Sequence, residues 1–244
     1  MIDDLPTLRD VAPVYAPPCA PMPALRVADV IASTYRVTAT RAPRGADRLV
    51  DATDLVLRRP VVLRFAAPGN PSDVLPIEAR RLVRAGPLAA EIFATGVYAG
   101  FRFVAVEPVD GIALGDALAT RSLHAAVATL VDVAEAVADA DARQVRLGGV
   151  GLGTVHLLRR RVVFEALTLG QLGEFHLGGL ARGELRQLAH LVHDVVLART
   201  GAIPMRLTAL LVAVECDRCT PAAFAAQLAD LAVTTPWRTR AGPG

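Results

Sequence analysis

The chain contains no lysine: all 26 of its Lys+Arg residues are arginine. Aromatic residues are scarce at 5%, so the core must be built mainly from alanine, valine and leucine, within a hydrophobic fraction of 53%. Net charge is small, +2, and the arginines are scattered among acids rather than massed, which argues against a nucleic-acid partner. Long apolar runs are missing as well. The most hydrophobic stretches, such as Ala209 to Val214, are far too short to span a bilayer. Met1-Ile2-Asp3-Asp4 has neither the basic start nor the apolar segment of a secretory signal. A cytoplasmic protein is the expectation. Cysteines number three, which fits a reducing compartment, and Cys216 and Cys219 form a C-x-x-C pair. A zinc site needs four ligands and no second pair exists, so a structural or incidental role follows and no metal is expected.

At 244 residues the chain can bury a sizeable core, in one large domain or two small lobes. Residues 1–30 carry Pro6, Pro13, Pro17, Pro18, Pro21 and Pro23, which remove backbone donors and break periodicity; they read as a disordered arm. Residues 233–244 read as a loose tail. From Tyr35 to Val109 short β-type runs dominate, among them 59–65 and 100–107, each bounded by Gly, Pro or Asp. A helical run near Pro76 to Arg84 interrupts them. From Leu114 the pattern turns helical: Leu123, Val127, Leu130, Ala134 and Val137 repeat at three and four, as do Leu185, Leu188, Val192 and Val196. Two short strands, 155–158 and 162–164, separate these helices. A last helix begins at Thr220-Pro221, an N-cap followed by proline in the first turn. Strands first and helices second predict an α+β chain of two lobes, 31–110 and 111–232, meeting at a cleft.

The order of elements and several segments resemble the bacterial Ser/Thr protein kinase family over roughly residues 33–232, in the actinobacterial style. Arg59-Pro60-Val61-Val62-Leu63-Arg64 resembles its R-P-V-A-L-K strand. Ile77-Glu78-Ala79-Arg80-Arg81-Leu82 resembles the start of its regulatory helix. Phe103 to Gly111 resembles the fifth strand and the linker between lobes. Asp217-Arg218-Cys219-Thr220-Pro221-Ala222-Ala223-Phe224 resembles the D-R-P-T-A-a-e-F opening of its last helix. The resemblance implies a protein-kinase-like fold with a β-rich N-lobe and a shortened helical C-lobe.

The same alignment implies losses at the chemical positions. The strand lysine is Arg64, which can pair with Glu78 but does not reproduce a compact ammonium at a phosphate. Only Gly45 remains of the glycine-rich loop. Counting back from Val155-His156-Leu157-Leu158 places Val150 at the proton-accepting Asp and Val155 at a metal-binding Asn. Ala166 stands where the D-F-G aspartate belongs, with Glu165 one residue early as a substitute ligand. The glycines of 148–153 mimic a nucleotide motif but lack the preceding strand and the downstream acid. The activation segment is short, Glu184 takes the place of the Asp that opens the central C-lobe helix, and a family helix or two between Pro204 and Arg218 is taken as deleted.

The expectation from these losses is a pseudokinase, not an enzyme, that works as a cytoplasmic protein-interaction or allosteric module in signalling. Its partner would be an active Ser/Thr kinase or a forkhead-associated domain reading phosphothreonine at Thr7, Thr234 or Thr235. No cofactor is required by this reading. A residual adenine pocket of Val62, Val106, Glu107 and Val109 leaves weak, metal-independent ATP binding open. The alternatives are an atypical phosphotransferase using Arg64, Glu78 and Glu165, and an ATP sensor without turnover.

Overall fold

A computed structural model describes residues 24–41, 48–65, 83–158, 161–164 and 182–237. Its first half is a six-stranded antiparallel sheet: β1 (Val30–Ile31), β2 (Tyr35–Thr40), β3 (Arg48–Asp54), β4 (Arg59–Phe65), β5 (Ile92–Tyr98) and β6 (Phe101–Val106), ordered β1-β2-β3-β4-β6-β5. The β3–β4 hairpin turns on Asp54, whose Oδ1 accepts from the N–H groups of Val56 and Leu57 at 2.9 and 3.0 Å. That bond lets a short polar side chain hold a turn in which Arg58 takes φ 53°. Alternation along the strands sends two sets of side chains to two faces. One set, Val50, Ala52, Val61, Leu63, Phe65, Phe103 and Ala105, packs under Leu25, Ile31, Tyr35 and Val37. Leu25, within the stretch expected as an arm, is therefore buried. The other set, Leu49, Val62, Val104 and Val106, packs with Ala90.

The second half begins at the linker. A short strand, β7 (Ile112–Ala113), leads into α1 (Leu114–Thr120) and α2 (Leu123–Ala142); then come β8 (Val155–Leu158), β9 (Arg161–Phe164), α3 (Arg182–Thr200), α4 (Met205–Glu215) and α5 (Pro221–Thr234). β7, β8 and β9 form a small antiparallel sheet. α2 is the central helix. Ser122 caps it, its Oγ accepting from Ala125 N–H at 3.3 Å, and the predicted stripe Leu123, Val127, Leu130, Ala134 and Val137 is buried with Leu188, Val192 and Val196 of α3 and Phe224, Leu228 and Leu231 of α5. α5 starts as expected, Thr220 Oγ1 accepting from Ala223 N–H at 3.2 Å, and runs through Thr234. Between Pro204 and Arg218, where deletion was expected, the chain instead forms α4, anchored by buried Leu207, Leu210 and Val214. No helix among the described residues is long and apolar enough to cross a membrane.

Gly111 joins the linker to β7 where backbone meets backbone: a Cβ there would lie 2.7 Å from the Leu157 carbonyl oxygen. Gly111→Ala is expected to push β7 off β8 and cost about 1–3 kcal/mol, the range of overpacking, measured by urea unfolding. An unchanged midpoint would show that the small sheet gives way freely.

Candidate functional site

The site lies where the sheet meets the helical half. In the β3–β4 and β4–β6 ladders Leu49 pairs with Arg64, Arg64 with Val104, and Val62 with Val106, so these side chains share one face. Leu49, Val62, Val104 and Val106 are 2–3% exposed and Arg64 5%, so this face is closed to solvent and a ligand reaches it only as it opens. Ile92 and Val109 pack against the patch, and Ile92 also touches the core of the helical half. The predicted adenine residues Val62, Val106 and Val109 are thus brought together beside Arg64. Glu78, the proposed partner of Arg64, lies outside the described residues, as do Gly45, Glu165 and Ala166.

Glu107 opens the linker. Its N–H donates to the Glu91 carbonyl at 2.8 Å. Its own carbonyl and the Val109 N–H make no hydrogen bond among the described residues, which leaves one acceptor and one donor for a ring. The Glu107 carboxylate accepts from the Glu91 N–H at 3.2 Å and forms an ion pair with Arg161, the first residue of β9. Arg161 Nη1 also donates to the carbonyls of Pro87 and Ala89, at 3.5 and 3.4 Å. Sequence reasoning missed Arg161, which occupies no motif position.

On the helical side Val150 is 6% exposed and Val155 0%; both pack into the helical core. The loop before β8 is held from α3. Glu184 Oε1 accepts from Leu147 N–H at 2.7 Å and Gly148 N–H at 3.0 Å, and Gln187 Oε1 accepts from Val150 N–H at 2.8 Å. Gly148 and Gly149 have φ of 78° and 140°, which explains the glycines by backbone need rather than by phosphate binding. Neither valine side chain offers an oxygen to a metal ion, so these two side chains do not fit one.

The remaining sequence candidates sit apart. Cys216 is exposed, burial pushes the Cys219 thiol up, and no group of metal-binding side chains occurs among the described residues. A raised thiol pKa lowers the thiolate fraction and with it reactivity. Two histidines of α3 that no sequence motif marked are also paired, His190 with Glu215 of α4 and His193 with Asp194. Arg218 is exposed, and Arg186, not Arg218, reaches Asp217, at 3.0 Å. Thr234, expected in a loose tail, is in the last turn of α5, where it donates to the Asp230 carbonyl and accepts from Arg206. Thr7 lies outside the described residues.

No protein-family model and no curated protein matches the chain. Among solved structures, the kinase domain of Mycobacterium tuberculosis PknI matches with a TM-score of 0.59 at 18% identity, over 85% of this chain and 99% of that one. A second structure of that domain gives 0.58 at 18% identity over 86% and 99%, and a doubly substituted variant 0.57 at 18% over 86% and 100%. This likeness overturns the expectation that the chain is not an enzyme. That expectation rested on side-chain types at a few motif positions, whereas the match runs nearly the full length of a kinase domain. The chain has the two-lobed α+β fold of a protein kinase domain.

Proposed function

We propose that the chain is a signalling protein of the protein-kinase fold, an atypical phosphotransferase that takes an adenine nucleotide between its lobes. The observation that supports this best is the shared face of Leu49, Val62, Val104 and Val106 ending at a linker whose Glu107 carbonyl and Val109 N–H have no partner among the described residues. The ring would lie against the apolar face and take both linker groups. Arg64, on the same face, would bring its fixed positive charge to the phosphate side. Phosphoryl transfer depends mainly on positioning and electrostatic stabilisation, so an arginine can contribute to it. With valine at 150, transfer lacks an aspartate base there, a loss of about 10²–10⁴ in rate. Glu78 and Glu165 are the acids through which the remaining charge would be supplied. Action on a protein partner, either an active kinase or a reader of phosphothreonine at Thr235, would follow from nucleotide-dependent movement of the lobes.

Thermal unfolding with adenosine and with ATP, each with and without magnesium, tests the reading. ATP at about 100 times its Kd adds about 2.7 kcal/mol by linkage. The expected result is stabilisation by ATP without magnesium, cut to the adenosine level by Arg64→Ala, together with slow transfer of labelled phosphate. Stabilisation by neither ligand would overturn it.

A further inference from the structure

Two open clefts, of about 640 and 280 Å³, are both bordered by Pro87 and Arg161 behind the linker. The Arg161 guanidinium is partly exposed and is held there by polar partners. Those partners belong to two separate stretches: the Glu107 carboxylate at the start of the linker, and the Pro87 and Ala89 carbonyls of the turn before β5. Arg161 itself belongs to β9 of the helical half. Glu107 is held twice more, its N–H on Glu91 O at 2.8 Å and its carboxylate on Glu91 N–H at 3.2 Å. Asp132, Glu135 and Asp139 of α2 line the larger cleft, Asp139 in an ion pair with Arg143. The acid that Arg161 meets is Glu107.

We infer that Arg161 is a positioning residue of the nucleotide seat: it acts through Glu107 to fix the Glu107 carbonyl and the Val109 N–H relative to the apolar face. The inference rests on the nucleotide reading above. A planar guanidinium that forks between a carboxylate and two carbonyls fixes direction as well as distance, which an ammonium does not. Arg161 touches neither ring nor phosphate in this account, so its effect falls equally on every ligand that uses the linker.

The test measures adenosine and ATP affinity by calorimetry on the full chain, and amide exchange at Glu91 and Glu107. Arg161→Ala is expected to weaken both ligands by the same factor, about tenfold, within the usual range for coupling through a contact network. It is also expected to speed exchange at both amides. Arg161→Lys should fall between. Arg186→Ala, which removes an exposed pair with Asp217 on α3, should change neither ligand and serves as the control for general loosening. Unchanged affinity for both ligands in Arg161→Ala would overturn the inference, as would a loss confined to ATP. Should the wild-type chain bind neither ligand, the nucleotide reading falls by itself. Exchange then decides alone: unchanged protection at Glu91 and Glu107 in Arg161→Ala rejects the role of Arg161, and lost protection keeps it as the residue that sets the linker.

Discussion

Glu184→Ala is expected to destabilise the fold by about 2–3 kcal/mol, because it leaves the Leu147 and Gly148 N–H groups without their acceptor, one of them in the core. Hydrogen bonds to a charged group are worth more than neutral ones, and a donor stranded in the interior carries the full desolvation penalty. Glu184→Gln keeps an oxygen at the same reach and should lose about half as much by the same reasoning. Gln187 holds the Val150 N–H, two residues further along the loop, so Glu184→Ala and Gln187→Ala together should depart from additivity. Urea unfolding followed by circular dichroism measures all three. A loss no greater than that of an ordinary surface substitution in Glu184→Ala would mean that the loop keeps its path without α3.

Phe164→Ala should cost more, about 3–5 kcal/mol, the range for removing a buried aromatic ring. Phe164 is fully buried in the helical core and pairs with Val155 across β8 and β9. Its loss would open a hole beside α2 and loosen the end of β9. Phe164→Leu fills most of that space and should cost less than about 1.5 kcal/mol. Equal losses for the two variants would show that the site collapses around either side chain, contrary to a close-packed core.

The parts of the fold that were legible in the sequence are those where a local pattern and a packing partner agree. α2 and α3 show a repeat of three and four that the core uses directly, and Thr220-Pro221 caps α5 as read. α4 was missed because the alignment with kinases suggested a deletion, although Leu207, Leu210 and Val214 already lie at helical spacing. At the site, residue types alone did not tell that Val150 and Val155 turn into the helical core. The Arg161–Glu107 pair joins residues 54 positions apart, with neither in a recognisable pattern, so no local signal announced it. The expectation of no enzymatic role failed for a related reason: a few side chains were weighed without the framework that holds them.

The path of the loop before β8 has a further consequence for anyone wishing to introduce the triplet His-Arg-Asp, which carries the proton-accepting aspartate in Ser/Thr protein kinases, at 148–150. Gly148, at φ 78°, lies in the left-handed half of backbone space, where a residue with a Cβ is strained by about 1–2 kcal/mol. Gly149, at 140°, sits in a region that is essentially glycine's alone. An aspartate at 150 would inherit a position inside the core. Transplanting three side chains is therefore not enough: the main chain must be rerouted first, and Glu184 and Gln187 hold it on its present course.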